Sequence, residues 1–362
     1  MNKIPLCEPD IGELEIKYVT EAVRNNMVSS SAPPVRNFEN AFAKFFGAKY
    51  AIATNSGLSA LFLVVKALGI GPGDEVIVPT FTMVATPESV SHNGATPVFA
   101  DCGKLNPGID AGEIEKKITS KTKAIIVAHL FGIPCDMEPI MRVAEKHNLP
   151  VIEDTAEAHG ATYRGKFCGT FGKAGCFSFY ASKIMTTGEG GMIITNDDAL
   201  AAMAKRLREY DINPKQPYIH ELAAWNLRMS ALEAALGLAQ LERLKELIGK
   251  RNAIAARYAA GLSNIKGLEF MAVPPQTEIS TWLCTVLADR RDELVEYLAK
   301  ENIDAKRVFV PMHDLPPYKQ SGNFPNAEYL AEHGISLPSA STLSEKDQNY
   351  VIEKVKKFYS GQ

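Results

Sequence analysis

The sequence of 362 residues lacks the features that mark membrane, secreted and nucleic-acid-binding proteins. No apolar run reaches the roughly 20 residues that a membrane-spanning helix needs. The N-terminal stretch MNKIPLCEPDIGELE contains no apolar core of a signal peptide. A net charge of −3 gives no basic footprint for nucleic acid. We therefore expect a cytoplasmic protein with neither a membrane nor a nucleic acid as partner.

Cysteine is sparse and dispersed along the chain. The six cysteines form no Cys-x-x-Cys pair and stand at Cys7, Cys102, Cys135, Cys168, Cys176 and Cys284. This spacing is untypical of zinc sites and of disulfide frameworks. We expect reduced, mostly buried thiols and no bound metal. Internal repeats and low-complexity tracts are lacking too.

Strand-like and helix-like segments alternate along most of the chain. Short apolar runs such as YAIAT (50–54) and DEVIVPT (74–80) are typical of buried strands. Segments such as LEIKYVTEAVRNN (14–26) and NSGLSALFLVVKALG (55–69) have the apolar spacing of helices that pack on a sheet. The alternation predicts a mainly parallel, doubly wound α/β sheet.

The pattern changes near residue 230. The run 230–262, rich in Ala, Leu, Glu and Lys, predicts either one long helix that bridges two domains or two helices. The Pro-rich stretch 310–326 predicts a loop. The rest of this region holds a strand-like and two helical segments: STWLCTVLA (280–288), RDELVEYLAKEN (291–302) and SEKDQNYVIEKVKKFYS (344–360). We expect a large sheet domain over 1–240, N-terminal helix included, and a smaller α/β domain over 241–362.

The turn Thr54–Ser59 joins a predicted strand to a predicted helix. Ligands of open α/β sheets bind at the carboxyl ends of strands, and the free amides at a helix N-terminus attract phosphate. The turn lacks the GK[ST] ending of a Walker motif. An N-cap followed by a packing glycine explains it equally well, so the turn alone leaves both interpretations open.

Two acids, Glu153 and Asp154, end an apolar strand. Alternation along a strand directs their side chains to opposite faces, so they are not a paired acid–base site. One acid at the carboxyl end of a strand is a candidate ligand contact. The alternative is an N-cap for the segment TAEAHG that follows.

Lys183 lies in the small-residue segment SFYASKIMTTGEGGM (178–192), before a Gly-rich turn. A buried lysine needs a partner for its charge, and burial favours the neutral amine that Schiff-base chemistry requires. The alternative is an ordinary lysine in an exposed loop. The turn after it would bring the chain back to the sheet, with glycines that allow close backbone approach.

The three features together fit one cofactor. Pyridoxal phosphate requires a phosphate cradle, an aspartate at the pyridine nitrogen and a lysine for the aldehyde. The chain supplies a phosphate turn, then Asp154, then Lys183 about 30 residues later. The combination favours pyridoxal phosphate more strongly than any one of the features does alone.

A family resemblance extends this interpretation. The segment EDTAEAHGATYRGKFCGTFGKAGCFSFYASKIMTTGEGGMIIT (153–195) resembles the core of sugar aminotransferases of the DegT/DnrJ/StrS type. Other resembling segments follow in family order and cover nearly the whole chain: EVIVPTFTMVATPESV, HLFGIPCDM, WNLRMSALEAALGLAQLERL, VFVPMHDLPPY and GISLPS. The resemblance implies the aspartate-aminotransferase-like fold type I. In that fold a large, doubly wound, mostly parallel sheet domain precedes a smaller C-terminal α/β domain.

The resemblance implies a role for each of several residues. Lys183 would hold the cofactor aldehyde and shuttle a proton, and Asp154 would pair with the ring nitrogen. Further cofactor contacts would be the amides of Gly57 and Leu58 and the hydroxyl of Ser178 on the phosphate, Ala156 against one ring face, Glu157 near the phenolic oxygen and Met83 over the ring.

The resemblance also implies contacts beyond one subunit. Asn226 would reach the phosphate of a neighbouring subunit, so we expect a homodimer with shared active sites. Arg228 is a candidate for gripping the carboxylate of the amino donor, with an interface salt bridge as the alternative. His313 is a candidate sugar-side contact, with a solvated loop histidine as the alternative.

Three positions depart from the family pattern. The family often has Thr at the position of Leu58, an aromatic residue at that of Met83, and Tyr at that of Leu227 in the members nearest in sequence texture. The sulfur of a methionine can still cover a ring, but the stacking is less rigid.

The implied reaction is a ping-pong transfer of the amino group of L-glutamate to a keto sugar. The nearest substrate class is a nucleotide-linked 4-keto-6-deoxyhexose such as GDP-4-keto-6-deoxymannose, in amino-sugar synthesis for surface polysaccharide such as O-antigen. Alternatives are another ketone (a different nucleotide sugar, a cyclitol or a free sugar) and a cofactor-binding regulator without turnover. Sugar dehydration at C-3 is disfavoured, because relatives with that activity replace the lysine by histidine and this chain has Lys183.

Overall fold

A computed structural model describes residues 3–213, 215–216 and 218–361. Its α-helices are α1 (Glu13–Arg24), α2 (Pro33–Phe46), α3 (Gly57–Ala67), α4 (Ala85–Ser91), α5 (Ala111–Lys117), α6 (Met137–Lys146), α7 (Asp198–Arg208), α8 (Ala231–Leu262), α9 (Arg291–Lys300), α10 (Pro325–His333) and α11 (Glu345–Ser360). Its strands are β1 (Tyr50–Thr54), β2 (Glu75–Pro79), β3 (Thr96–Ala100), β4 (Thr122–Ala128), β5 (Val151–Asp154), β6 (Thr162–Tyr163), β7 (Lys166–Phe167), β8 (Ala174–Ser178), β9 (Gly191–Thr195), β10 (Leu268–Phe270), β11 (Thr277–Glu278), β12 (Cys284–Ala288), β13 (Lys306–Arg307) and β14 (Gly334–Leu337).

A seven-stranded sheet forms the centre of the molecule, in the order β1-β9-β8-β5-β4-β2-β3. Strand β9 runs antiparallel to both of its neighbours, and the pairs from β8 to β3 are parallel. Parallel strands need crossover helices, which cover both faces of such a sheet. The carboxyl ends of β1, β8 and β5 therefore meet at one edge of the sheet.

Both faces of this sheet are buried, as alternation along β2 demonstrates. Val76 and Val78 pack into one apolar cluster with residues of α3. Ile77, which lies between them, packs into a different cluster with Ile114 of α5 and Ile140 of α6. Successive residues of a strand point to opposite faces, so fully apolar strands indicate helices on both sides. The predicted doubly wound α/β fold is confirmed.

The long helical run is one helix, α8, of 32 residues. Ser230 caps its N-terminus by accepting from the Glu233 amide, while the Glu233 carboxylate accepts from the Ser230 amide. The helix packs against α1 and α2 at one end and against α11 at the other. The domain boundary expected after residue 240 falls inside this helix.

The C-terminal residues build a second, antiparallel sheet in the order β10-β12-β14-β13. Helices α9 and α11 contribute to its core together with the second half of α8. The N-terminal segment joins this lobe, since the Ile4 amide donates to the Asn302 carbonyl at 2.9 Å and Ile4 packs in the same core. The predicted loop 310–326 contains two short 3-10 turns, and α10 begins at Pro325.

The described residues lack two kinds of feature. No described helix is both long enough and apolar enough to cross a membrane. Among the same residues, no group of three or more His, Cys, Asp or Glu side chains is placed to hold a metal ion.

Candidate active site

The three features predicted from the sequence lie at one edge of the large sheet. The turn before α3 follows β1, Asp154 ends β5, and Ser178 ends β8. Gly57 packs directly against Ser178, because a Cβ built on Gly57 would lie 2.8 Å from the Ser178 Cβ. Only glycine allows this approach. The turn and the serine hydroxyl therefore face the same small space.

The turn before α3 is both an N-cap and an anion site in form. Ser56 caps the helix by accepting from the Ser59 amide at 3.1 Å. The amides of Gly57 and Leu58 belong to the first helical turn, which has no carbonyl one turn back to accept from them. Amides of this kind bind phosphate. The two interpretations of the turn are thus compatible with each other.

Asp154 is buried, and its carboxylate is held by two donors. The Thr86 hydroxyl donates to Oδ2 at 2.8 Å, and the Ala156 amide donates to Oδ1 at 3.2 Å. Burial raises the pKa of Asp154, and the hydrogen bond from Thr86 opposes that rise. A cation in contact with this carboxylate would offset the cost of its burial. Thr86 had no signal in the sequence, because its contact depends on the position of α4 beside β5.

Glu153 faces the other way, as strand alternation predicts. Its carboxylate accepts from the amides of Gly169 and Gly172, each at 2.7 Å, and from Nε2 of His129 at 3.1 Å. The Nδ1 atom of His129 accepts from the Cys135 amide at 3.0 Å, which fixes the proton of this imidazole on Nε2. Glu153 therefore holds backbone amides on the other face of the sheet, and of the two acids only Asp154 faces the candidate site.

The side chain of Lys183 is largely shielded from solvent, so the exposed-loop alternative is wrong. Its side chain is 10% exposed, and its Nζ lies 3.2 Å from Oε1 of Glu157. The other carboxylate oxygen of Glu157 accepts from the Phe131 amide at 2.9 Å. Burial raises the pKa of Glu157, and the charge of Lys183 opposes that rise.

Trp282 covers Lys183 from the side of the C-terminal lobe. The ring centroid lies 3.7 Å from Nζ, within the range of a cation–π contact. The indole N–H donates to the Ser182 carbonyl at 2.7 Å. A cavity of about 380 Å³ opens beside this contact, lined in part by Phe131, Tyr180 and Phe309. The sequence interpretation placed Trp282 in a strand and assigned it no role.

Arg251 is a second residue that the sequence interpretation missed. Its side chain, on α8, is 1% exposed and donates to carbonyl oxygens rather than to carboxylates. The carbonyl acceptors belong to Trp282 at 2.7 Å, Ser339 at 3.2 Å and Lys183 at 3.4 Å, and the Cys7 sulfur is a further acceptor at 3.4 Å. A signal existed, since Arg251 interrupts an apolar stripe at helical spacing: Leu244, Leu247, Ile254 and Tyr258.

The remaining predicted contacts vary in position. Ala156 is partly buried after Asp154, and Met83 is 45% exposed, with its sulfur accepting from the Ala85 amide at 3.0 Å. Asn226 is exposed, and the Arg228 guanidinium lies 5.5 Å from the ring centroid of Tyr210. The roles predicted for these residues stay predictions.

His313 is not a solvated loop histidine. It is 6% exposed, its Nδ1 is 2.7 Å from the Thr80 hydroxyl, and its ring stacks on Phe324 with a centroid distance of 4.3 Å. Its Nε2 lies 3.6 Å from the Glu328 carboxylate. The solvated alternative is therefore wrong, because the 3-10 turn of Met312–Asp314 buries the ring against β2 and α10. The predicted sugar contact stays a prediction.

The residues present fit pyridoxal phosphate. The turn at Gly57, with its free amides, packs directly against Ser178, and the two would hold the phosphate group together. Asp154 offers a buried carboxylate whose two hydrogen-bond donors, a hydroxyl and an amide, are both uncharged. Lys183 supplies an amine in a water-poor setting beside them. Phosphate, ring nitrogen and aldehyde of the cofactor each have a matching group.

Comparisons with known proteins agree with this chemistry. Residues 9–356 match the model of the DegT/DnrJ/EryC1/StrS aminotransferase family. The chain is similar to GDP-perosamine synthase of Caulobacter vibrioides, with 42% identity over 97% of each chain. It is also similar to GDP-perosamine synthase of Escherichia coli O157:H7, with 40% identity over 99% of this chain and 100% of that one.

A solved structure gives the same result for the fold. The PLP form of the Streptococcus pneumoniae protein Spr1654 superposes with a TM-score of 0.94 at 29% identity, over 99% of each chain. The match extends over both lobes, so the fold type predicted from the sequence is confirmed. The chain belongs to the DegT/DnrJ/EryC1/StrS aminotransferase family, and its cofactor is pyridoxal phosphate.

Proposed function

We propose that this chain transfers the amino group of L-glutamate to a nucleotide-linked 4-keto-6-deoxyhexose, with GDP-4-keto-6-deoxymannose as the first candidate. The carrying observation is the 42% identity to a GDP-perosamine synthase along 97% of both chains. The product would serve amino-sugar synthesis for surface polysaccharide in the cytoplasm. The retained Lys183 and the buried Asp154 support turnover rather than regulatory binding.

The large-sheet edge would bind and orient the cofactor. The amides of Gly57 and Leu58, with the Ser178 hydroxyl, would hold the phosphate at the N-terminus of α3. The Asp154 carboxylate would accept a hydrogen bond from the protonated ring nitrogen. The positive charge of that nitrogen would compensate the negative charge that is costly to bury. The bound cofactor supplies the aldehyde that carries the amino group and a ring that stabilises negative charge on the reacting carbon.

Lys183 would move the protons. Its Nζ, once free, is the base within reach of the donor's reacting carbon, and the same atom returns the proton in the second half-reaction. Glu157, 3.2 Å from Nζ, would keep the amine oriented between the two half-reactions. Burial of both side chains excludes bulk water from this exchange.

A second copy of the chain would complete the site. Asn226 and the nearby Tyr218 and Ile219 are exposed, the latter two at 93% and 57%. Large exposed apolar residues of this kind favour an interface. Arg228 beside them would grip the donor carboxylate or pair across the interface. His313 would contribute on the sugar side.

The test is a two-step spectral assay on the purified holoenzyme. L-Glutamate should bleach the visible absorbance of the bound cofactor, and the correct keto sugar should restore it. GDP-, dTDP- and UDP-linked 4-keto-6-deoxy sugars are compared for the rate of restoration. Bleaching that only a different ketone reverses would reassign the substrate. A cofactor spectrum that no amino donor changes would leave a binding protein without turnover.

The shared site is tested by mixing two inactive variants. Lys183→Ala and Asn226→Ala are purified separately, mixed and allowed to exchange subunits. If Asn226 acts across the interface, mixed dimers contain one site with both native residues, and activity returns to roughly a quarter of the wild-type value for random mixing. If both native residues must come from one subunit, the mixture stays inactive.

A further inference from the structure

A closed ring of contacts links Lys183 to three other residues: Glu157, Phe131 and Trp282. The Nζ atom meets the Glu157 carboxylate, whose second oxygen accepts from the Phe131 amide. The Phe131 carbonyl accepts from the Trp282 amide at 3.1 Å. The Trp282 ring then returns to Nζ at 3.7 Å, while its indole N–H fixes the Ser182 carbonyl. Both neighbours of the amine are thus held by one residue, Phe131.

The backbone of Phe131 is strained at the point where its amide and carbonyl contact Glu157 and Trp282. Its φ is +58°, in the left-handed region that a bulky residue rarely adopts. The Phe131 ring is buried and stacks on Phe309 with an interplanar angle of 15°. Gly132 follows with φ +91°, and a Cβ at this position would lie only 1.9 Å from the Ser280 carbonyl oxygen, so no side chain fits. Strain of this kind persists at functional sites when the surroundings determine it.

We infer that Trp282 is a positioning residue for the reactive amine of Lys183. Its indole face contacts Nζ, which is also paired with Glu157, and the contact with Ser182 fixes the backbone from which Lys183 projects. The inference rests on the proposed function for its catalytic meaning. The contacts of Trp282 with Lys183 and Ser182 do not depend on that function.

The chemical reason lies in the amine's two tasks. For the proposed reaction, the Lys183 amine would hold the cofactor through its aldehyde and, when free, would carry a proton. A flexible four-carbon side chain needs restraint to stay close to the reacting carbon, and misplacement by about 1 Å can cost about 100-fold in rate. Simultaneous contact with a carboxylate and a π-face restrains the amine without a covalent bond.

The first experiment measures the accessibility of the amine directly. Full-length protein freed of cofactor is treated with formaldehyde and a hydride donor, and methylation of Lys183 is followed by mass spectrometry. Trp282→Leu should raise the Lys183 rate roughly fivefold, which corresponds to about 1 kcal/mol. Trp282→Phe keeps a π-face and should stay within about twofold of wild type. Lys173, 44% exposed and paired with Asp197, is the internal control.

Two outcomes would overturn the inference. One is an unchanged Lys183 rate in Trp282→Leu, and the other is a rate in Trp282→Phe as high as in Trp282→Leu. Circular dichroism and Tm confirm folding of each variant, and Trp282→Met replaces the leucine variant if that one does not fold. The assay uses neither donor nor sugar, so its result is independent of the proposed substrates.

The second experiment uses the holoenzyme. Trp282→Leu should lower kcat roughly tenfold while KM for the amino donor changes by less than about threefold, since an orienting contact acts on the reacting step. Trp282→Phe should restore most of kcat. A raised KM with unchanged kcat would identify a substrate contact instead and overturn the positioning role. If Trp282→Leu raises the methylation rate of Lys183 as predicted but the wild-type holoenzyme never transaminates, only the proposed function is refuted.

Discussion

The two sides of Lys183 are built in different ways. On the sheet side, Asp154 and Ser178 end two strands at one edge and Glu157 follows three residues after Asp154, all within 30 residues of the lysine in the sequence. On the lobe side, Trp282 and Arg251 come from the C-terminal part of the chain and meet the lysine through long-range contacts. In the proposed mechanism, the sheet side carries the chemistry and the lobe side holds the lysine in place. Substitutions on the two sides should therefore fail differently.

The largest expected effect removes the amine itself. Lys183→Ala should lower turnover by at least about 1,000-fold, because neither attachment of the aldehyde nor proton transfer has a substitute within reach. Steady-state amination of the keto sugar measures it. Lys173→Ala, at an exposed lysine of the same domain, should keep wild-type activity. Wild-type turnover in Lys183→Ala would contradict the assignment of this lysine.

Asp154→Asn should separate activity from stability. Turnover should fall about 100- to 1,000-fold, since the amide cannot hold a proton-bearing ring nitrogen by charge. Burial raises the pKa of Asp154 above its unfolded value, so the ionised carboxylate lowers stability at neutral pH. The cofactor-free variant should therefore have a higher Tm than wild type at pH 7.5.

The same pair of proteins should converge in acid. As the pH approaches the unfolded pKa of 3.8, the carboxyl becomes protonated in both states and its contribution shrinks toward zero. Thermal melts of both proteins at pH 7.5 and near pH 4 provide the comparison. A cofactor-free Asp154→Asn protein less stable than wild type at pH 7.5 would show that Thr86 and Ala156 outweigh the cost of burying the charge.

On the lobe side, Arg251→Met should cost stability. The three carbonyl acceptors of Trp282, Ser339 and Lys183 would lose their donor, and we expect a loss of about 2 kcal/mol in unfolding free energy. Chemical denaturation measures it. Arg257→Met on the same helix is the matched control, since Arg257 is 36% exposed and pairs with Glu345. That change should stay within about 0.5 kcal/mol. Equal losses in both variants would contradict the anchoring role.

His159, which follows β5 on the sheet side, should make stability depend on pH. It is fully buried beside the rings of Phe177 and Phe179, and burial lowers its pKa from 6.5 to about 3. The unfolded chain therefore binds a proton at His159 that the folded chain does not bind. This histidine lowers the free energy of unfolding as pH falls below 6.5. Between pH 7.5 and 5.5 its share is about 1.4 kcal/mol.

Two non-titrating variants test that share. His159→Phe and His159→Asn should each reduce the loss of unfolding free energy between pH 7.5 and 5.5, measured by denaturant melts at both values. Because one replacement is apolar and the other polar, a common effect identifies the titration. If only one variant changes the pH dependence, packing rather than protonation is responsible.

The smallest expected effect concerns Met83, the predicted cover of the cofactor ring. Met83→Phe should tighten cofactor binding about threefold, because an aromatic ring stacks more rigidly than a thioether. Titration of cofactor-free protein, followed by visible absorbance, measures the dissociation constant. Weaker binding in Met83→Phe would show that the methionine suits this pocket better than a ring.

The sheet side was predictable because its signals are local. Asp154 follows an apolar run, and the turn at Gly57 joins a strand to a helix, so both positions follow from neighbouring residues. The parallel sheet then places these strand ends together by a general rule of open α/β folds. Helix α7 was missed, although Asp197 caps it by accepting from the Leu200 amide. Its segment follows β9 directly, and its mixed polar sequence was not recognised as a helix.

The lobe side was not predictable because its contacts depend on tertiary geometry. The position of Trp282 over Lys183 depends on the Phe131 turn, whose positive φ no local pattern indicates. The 3-10 turn that buries His313 likewise depends on Thr80, 233 residues earlier. Arg251 alone left a trace, as the one charge on the apolar stripe of α8.

The most direct test of the central claim follows the nitrogen atom. The purified holoenzyme is incubated with L-glutamate labelled with ¹⁵N and with GDP-4-keto-6-deoxymannose, and the nucleotide sugar is analysed by mass spectrometry. We predict an amino sugar that carries the ¹⁵N label, formed by wild type and not by Lys183→Ala. A fully loaded wild-type enzyme that transfers no label to this sugar, or to any other keto sugar offered, would contradict it.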